Sequence, residues 1–119
     1  MARILLADDD AAARDLVQRA LAGDGHAVTC TQDGAEALEQ IQSSSPFDVL
    51  IADVQMPGVD GIALAEKSLK LRPTLRVILM SGFADELDRA EHLKSKVARV
   101  VAKPITLEGI RAAVRAVLA

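Results

Sequence analysis

The chain has 119 residues, 50% of them hydrophobic and 26% charged, a size and composition that predict one globular domain and exclude a disordered or low-complexity polymer. Its 14 basic and 17 acidic residues give a net charge of −3 without any basic footprint, which argues against nucleic acid or anionic lipid as a partner. With two Phe and no Tyr or Trp it has no stacking platform for bases, flavins or sugars, and one cysteine, Cys30, cannot form an internal disulfide.

The first apolar run, residues 4–7, is cut off by Asp8, Asp9 and Asp10, too soon for a signal-peptide core or a membrane span, so a cytoplasmic protein is expected. Leu16, Val17, Ala20 and Leu21 then mark a helix closed by Gly23 and Gly25. Residues 27–30 read as a second strand, and Thr29 and Thr31 make it a candidate sheet edge. Ala35, Leu38 and Ile41 mark a second helix, followed by a turn at Ser43-Ser44-Ser45-Pro46 and a third strand over residues 49–52. Ile62, Ala65 and Leu69 mark a helix stopped by Pro73, and residues 77–80 form a fourth strand. Residues 84–93 are the weakest helical stretch, with Leu87, Ala90 and Leu93 set among many charges, and a mobile or partner-facing surface is expected there. After a loop at Lys94-Ser95-Lys96 and a fifth strand over residues 100–102, Leu107, Ile110, Val114 and Val117 mark the last helix, with Thr106 as its N-cap. Five strands alternating with helices predict a single α/β domain over residues 1–119, a doubly wound parallel sheet.

In such sheets ligands bind beyond the carboxyl ends of the strands. Asp8, Asp9 and Asp10 follow the first strand, Asp53 the third, Ser81 the fourth, and Lys103 with Pro104 the fifth. In a flavodoxin-like order the first and third strands are neighbours, which brings Asp8, Asp9 and Asp53 into one crevice. Three carboxylates there repel one another unless a hard cation joins them, and an oxygen-only donor set selects Mg2+. A carboxylate nucleophile, a hydroxyl and an ammonium group beside Mg2+ make a workable phosphoryl-transfer site, because that chemistry is mostly positioning and charge stabilisation. Asp53 would attack phosphorus, Ser81 would donate a hydrogen bond, and Lys103 would balance the remaining charge.

Ile4-Leu5-Leu6-Ala7-Asp8-Asp9-Asp10, then Asp53-Val54-Gln55-Met56-Pro57-Gly58-Val59-Asp60-Gly61, then Met80-Ser81-Gly82 and Lys103-Pro104-Ile105 together resemble the receiver domain of two-component response regulators, over essentially the whole chain. The resemblance implies a CheY-like sheet of order 2-1-3-4-5. It implies Asp53 as phosphoacceptor, Asp9 as a direct Mg2+ ligand, Asp8 as a second acid acting largely through water, and the Gln55 backbone carbonyl as a further ligand. Ser81 is then the switch hydroxyl, and the Lys103–Pro104 bond is cis. A histidine kinase or phosphotransfer protein is the implied donor, and a downstream protein the implied target of a single-domain regulator that is no enzyme toward other substrates. The protein is expected to be a monomer, with dimerisation on phosphorylation open. The Ser81-Gly82-Phe83-Ala84 stretch and Val100-Val101-Ala102-Lys103-Pro104 further resemble the CpdR type, which would imply an adaptor role in ClpXP proteolysis with ClpX as partner.

Departures and plainer readings stand beside these. Receivers often carry an aromatic ring three residues before the lysine, where this chain has Val100, so a switch is expected to be read through Ser81, the loop after Asp53 and residues 84–93. Gln55 and Phe83 occupy positions that tune water access to an acyl phosphate. Asp10 is read as a helix cap or solvent-facing group, Asp60 as a turn former, His26 and His92 as ordinary surface or loop residues, Cys30 as a strand residue, and Met56 and Met80 as packing. A haloacid-dehalogenase phosphatase would carry an acid two residues after its nucleophile, where Gln55 stands. A phosphate shuttle or sink, or a receiver excised from a hybrid kinase, shares every active-site residue and remains as an alternative.

Overall fold

The protein is described from a computed structural model covering residues 2–43, 46–82 and 97–119. Phe83, the 84–93 stretch with His92, and Lys94-Ser95-Lys96 lie outside the described residues, as do Ser44 and Ser45. In chain order the elements are β1 (Arg3–Ala7), α1 (Ala11–Gly23), β2 (Ala27–Thr31), α2 (Gly34–Ser43), β3 (Val49–Asp53), α3 (Gly61–Leu71), β4 (Arg76–Ser81), β5 (Arg99–Ala102) and α4 (Leu107–Leu118). All strand pairs are parallel and the order is β2-β1-β3-β4-β5, the doubly wound arrangement expected.

The central strands read as unbroken apolar runs because both of their faces are covered. Ile4, Leu6, Val49, Ile51, Ile78 and Met80 point to one side, where Val17, Ala20 and Leu21 of α1 and Ile110, Ala113 and Val114 of α4 meet them. Leu5, Ala7, Leu50, Ala52, Val77 and Leu79 point to the other, against Ala37 and Ile41 of α2 and Ile62, Leu64 and Ala65 of α3. Met56 and Met80 are buried in these two clusters, which agrees with a packing role. β2 is an edge strand, as its threonines suggest, and Cys30 is half-buried in it, where burial pushes the thiol up and away from a reactive thiolate.

Helix starts follow capping chemistry. Asp10 caps α1, its Oδ1 accepting from the backbone N–H of Ala12 at 2.9 Å, and Thr106 caps α4, accepting from Gly109 at 3.0 Å. Asp60 does more than form a turn: it is the N-cap of α3 and accepts from Ala63 at 2.9 Å. The other end of α1 is finished from outside the helix. Arg111 Nε of α4 donates to the Ala20 carbonyl at 2.7 Å, and Arg115 pairs with the C-cap Asp24 at 3.0 Å.

Three expectations differ from the structure. Ala35 is exposed, and the buried stripe of α2 runs through Gly34, Ala37 and Ile41, because α2 begins at Gly34 and turns that face inward. Leu107 is exposed at the start of α4, where a first-turn residue projects past the sheet, so the stripe is carried by Ile110, Ala113 and Val114. Strands β2, β3 and β4 each run one residue further at the carboxyl end than their apolar cores, taking in Thr31, Asp53 and Ser81, and β1, β4 and β5 each begin one residue earlier, at Arg3, Arg76 and Arg99. His26 is a half-buried loop residue just before β2, in keeping with its reading, and its Nδ1 accepts the backbone N–H of Ala2 at 3.1 Å.

No helix among the described residues is long and apolar enough to cross a membrane.

Candidate functional site

The sheet register sets the site. Ala7 of β1 pairs with Ala52 of β3, so Asp8, the next residue, falls level with Asp53. On the other side Asp53 pairs with Met80, one position short of Ser81, and Ser81 pairs with Ala102, one position short of Lys103. Four strand ends far apart in sequence thereby converge on one crevice, as expected for a doubly wound sheet.

Asp53 is the last residue of β3 and is buried. Its Oδ1 accepts the Gln55 backbone N–H at 3.0 Å, and its Oδ2 accepts from Lys103 Nζ at 2.5 Å. Both carboxylate oxygens are thus aimed by groups from outside β3. Lys103 is itself held by its own N–H, which donates to the Ser81 carbonyl at 2.8 Å, and its bond to Pro104 is cis. Burial alone would lower the Lys103 ammonium, but the hydrogen bond and charge of Asp53, with Asp8 and Asp10 behind it, outweigh that and raise it. Lys103 is therefore a fixed positive charge at this strand end. Ser81 is buried where β4 ends.

Asp8 is fully buried. Its N–H donates to the Thr31 carbonyl at 3.2 Å, and its Oδ1 accepts the Asp10 N–H at 2.9 Å. Burial raises its pKa to about 6 against the opposing Asp10 hydrogen bond, with the neighbouring Asp53 and Asp9 charges adding to the rise. Its Oδ2 is buried with no hydrogen-bond partner among the described residues. A buried carboxylate oxygen left without a donor is costly, and a cation would satisfy it.

One oxygen from each of Asp8, Asp9 and Asp53 lies within 4.8 Å of the others. The donors are all oxygens, one of them orphaned, two of them buried and one exposed, and this set fits a hard divalent cation such as Mg2+. An open crevice of about 510 Å3 lies in front, lined by Asp9, Asp53, Gln55, Met56 and Lys103 among others. Asp10 also lines it, but one of its oxygens is engaged by the first turn of α1, in keeping with the cap reading.

The loop from Val54 to Asp60 is shaped by glycine. Gly58 has φ +75°, and Gly61 lies so close to the Asp53 carbonyl that a Cβ there would strike the backbone. Asp8, Asp9, Asp53, Ser81 and Lys103, singled out by their positions after apolar runs, are all brought together. Two supporting groups were not singled out. Arg14 donates from Nη1 to the Asp8 carbonyl at 2.8 Å, and Thr31 Oγ1 donates to the Leu6 carbonyl at 2.8 Å. Neither bond has a spacing signature, since both depend on how α1 and β2 pack on β1.

Comparison with known proteins agrees with this arrangement. A family model described as the response regulator receiver domain matches residues 4–115. The response regulator receiver protein CpdR of Brucella abortus (strain 2308) is 36% identical over 110 residues, covering 92% of this chain and 91% of that protein. A response regulator receiver domain protein from Clostridium thermocellum superposes with a TM-score of 0.89 at 27% identity, covering 99% of this chain and 94% of the other. The response regulator TrrA of Thermotoga maritima, solved in complex with Mg2+–BeF, superposes with a TM-score of 0.86 at 26% identity, covering 98% and 99%.

Proposed function

The chain belongs to the response regulator receiver family of two-component signalling, and from that premise we propose that it takes a phosphoryl group onto Asp53 and signals by binding another protein according to its phosphorylation state. The observation that carries the reading is the meeting of Asp8, Asp9 and Asp53 within 4.8 Å while Lys103 holds the Asp53 carboxylate.

A carboxylate oxygen of Asp53 attacks phosphorus, the bond from phosphorus to the donor nitrogen of a phosphohistidine breaks, and that nitrogen takes up a proton. The donor is a histidine kinase or a phosphotransfer protein. The Gln55 N–H and Lys103 orient the nucleophile, which removes much of the positional part of the barrier. Lys103 then meets the negative charge of the transferred group, and the Ser81 hydroxyl, at the adjoining strand end, donates to one of its oxygens. Asp8, Asp9, Asp53 and the Gln55 carbonyl would hold Mg2+, which when bound supplies charge neutralisation around the phosphoryl oxygens. Resemblance to the TrrA complex with Mg2+–BeF supports that choice of ion. The chain is not an enzyme toward other substrates on this reading: it only gains and loses its own phosphoryl group, in the cytoplasm.

The match to CpdR along nearly the full length of both chains supports output through a protein partner, with the unfoldase ClpX as the first to test in unmodified and phosphomimic states. A phosphate shuttle uses the same residues, and transfer from phosphorylated chain to a phosphotransfer protein without any target binding would favour it.

The test is intact mass after incubation with Mg2+ and acetyl phosphate. One phosphoryl adduct is expected on the wild type, absent from Asp53→Asn and from an EDTA control. If Asp53→Asn gains the same adduct, the assignment is wrong.

A further inference from the structure

We propose that Arg14 is a positioning residue for the divalent cation at Asp8, Asp9 and Asp53, acting through the backbone of the loop that carries two of those acids. The inference rests on the Mg2+ reading above and deepens it.

The connection from β1 to α1 consists of Asp8, Asp9 and Asp10. Three adjacent carboxylates repel one another, so this loop needs restraint from elsewhere to keep one shape. The Asp8 N–H is tied to Thr31, and the Asp8 Oδ1 is tied to the Asp10 N–H. Position 14 meets the loop at both ends, at Asp10 through the ordinary first-turn backbone bond and at Asp8 through the arginine side chain. Its backbone N–H donates to the Asp10 carbonyl at 2.9 Å, and its Nη1 donates to the Asp8 carbonyl at 2.8 Å. That second bond fixes the plane of the peptide joining Asp8 to Asp9.

Asp9 lies in the middle of the loop, is exposed, and accepts no hydrogen bond among the described residues. The peptide planes on either side place the root of its side chain, the Cα–Cβ bond, and Arg14 holds one of those planes. Arg14 itself forms no ion pair among the described residues, and its one hydrogen bond from the side chain goes to a carbonyl. Its guanidinium is used to place backbone, not to neutralise an acid. Partners of this kind, which orient a ligand without touching the ion, typically change metal affinity when removed.

Charge and positioning make opposite predictions here. A cation close to a cation site weakens binding by repulsion, so if charge dominated, its removal would tighten Mg2+. If positioning dominates, its removal loosens Mg2+.

The experiment is Mg2+ titration of the full chain by calorimetry or amide chemical shifts, with no phosphodonor present, alongside urea denaturation. Arg14→Met is expected to weaken Mg2+ by about tenfold, the low end for removal of an orienting partner. Arg14→Lys, which keeps one donor, should recover most of the affinity. Arg111→Met serves as comparison, because it removes another arginine that donates to a backbone carbonyl, here that of Ala20 within α1 and away from the three acids, and should lower stability without moving Mg2+ affinity. Unchanged or tighter binding in Arg14→Met overturns the proposal, as does equal weakening in Arg111→Met. Should Arg14→Met not fold, Arg14→Gln replaces it, and unchanged affinity there overturns the proposal equally. A wild type that does not bind Mg2+ defeats the underlying reading and this inference together, whereas a wild type that binds beside an unaffected Arg14→Met defeats this inference alone.

Discussion

Gly61 sits directly against the backbone of Asp53: a Cβ added at Gly61 would lie 2.8 Å from the Asp53 carbonyl carbon and 2.9 Å from Val54 Cα. The first turn of α3 is thus seated on the peptide that follows the proposed nucleophile, and the Gly61 N–H donates to the Val54 carbonyl at 3.1 Å.

Backbone, unlike the tip of a long side chain, cannot swing aside. Gly61→Ala is therefore expected to cost about 1–3 kcal/mol in urea denaturation, the usual range for overpacking. The same substitution should slow adduct formation from acetyl phosphate, since relief of the clash moves Asp53. An unchanged rate with lowered stability would mean that the strand absorbs the strain without shifting its carboxylate.

Asp8 predicts a trade between stability and ion binding. Its folded pKa is about 6, raised by burial from the ordinary 3.8, so the folded state holds more protons than the unfolded chain between those values. Stability then falls as pH rises through that window, and the full cost of the buried charge is present above it. In EDTA, Asp8→Asn should be more stable than wild type by about 1–3 kcal/mol at pH 7.5, with the gain shrinking toward pH 4. Thermal or urea unfolding at the two pH values checks this, and a gain that is the same at both would rule out buried charge as its source.

Lys103→Met removes the partner of a buried carboxylate and the charge that meets the transferred group. Adduct formation from acetyl phosphate should drop by at least about tenfold, in line with loss of one electrostatic contact in a transfer site. Time-resolved intact mass would measure it, and a rate within about twofold of wild type would remove Lys103 from the chemistry.

Ser68 offers the opposite case, a substitution expected to help. It is fully buried in α3, and its Oγ has no hydrogen-bond partner among the described residues. Ser68→Ala removes an unsatisfied hydroxyl and adds helix propensity, so it should raise stability by about 1 kcal/mol and leave the adduct rate untouched. Loss of stability would show that the hydroxyl is bonded in solution.

The acids and the lysine can be found by inspection because parallel strands covered on both faces are written as short apolar runs, and the first polar residue after each run marks the ligand-binding edge. Asp53, Ser81 and Lys103 stand out on that ground alone. The order of the strands is not contained in any one run; it is implied by the resemblance of four motifs in sequence, and the observed sheet has that order. Helix faces were harder. In α2, Ala35 and Ala37 are the same residue type two positions apart, and only the packing of Gly34 against Val59 decides which one turns inward. Leu107 has the periodicity of a core residue but stands where α4 has not yet reached the sheet. Arg14 carries no mark at all, because a charged residue four places into a helix reads as solvated until its guanidinium is seen on the Asp8 carbonyl.

The convergence of β1, β3, β4 and β5 at one edge has a further consequence. The groups at positions 8, 53, 81 and 103 have no short-range neighbour among themselves except through the completed sheet, so no peptide excised around Asp53 contains even a weakened version of the site. Competence to take up phosphate is then a property of the cooperative native state, and adduct yield along a denaturant series doubles as a gauge of the folded fraction.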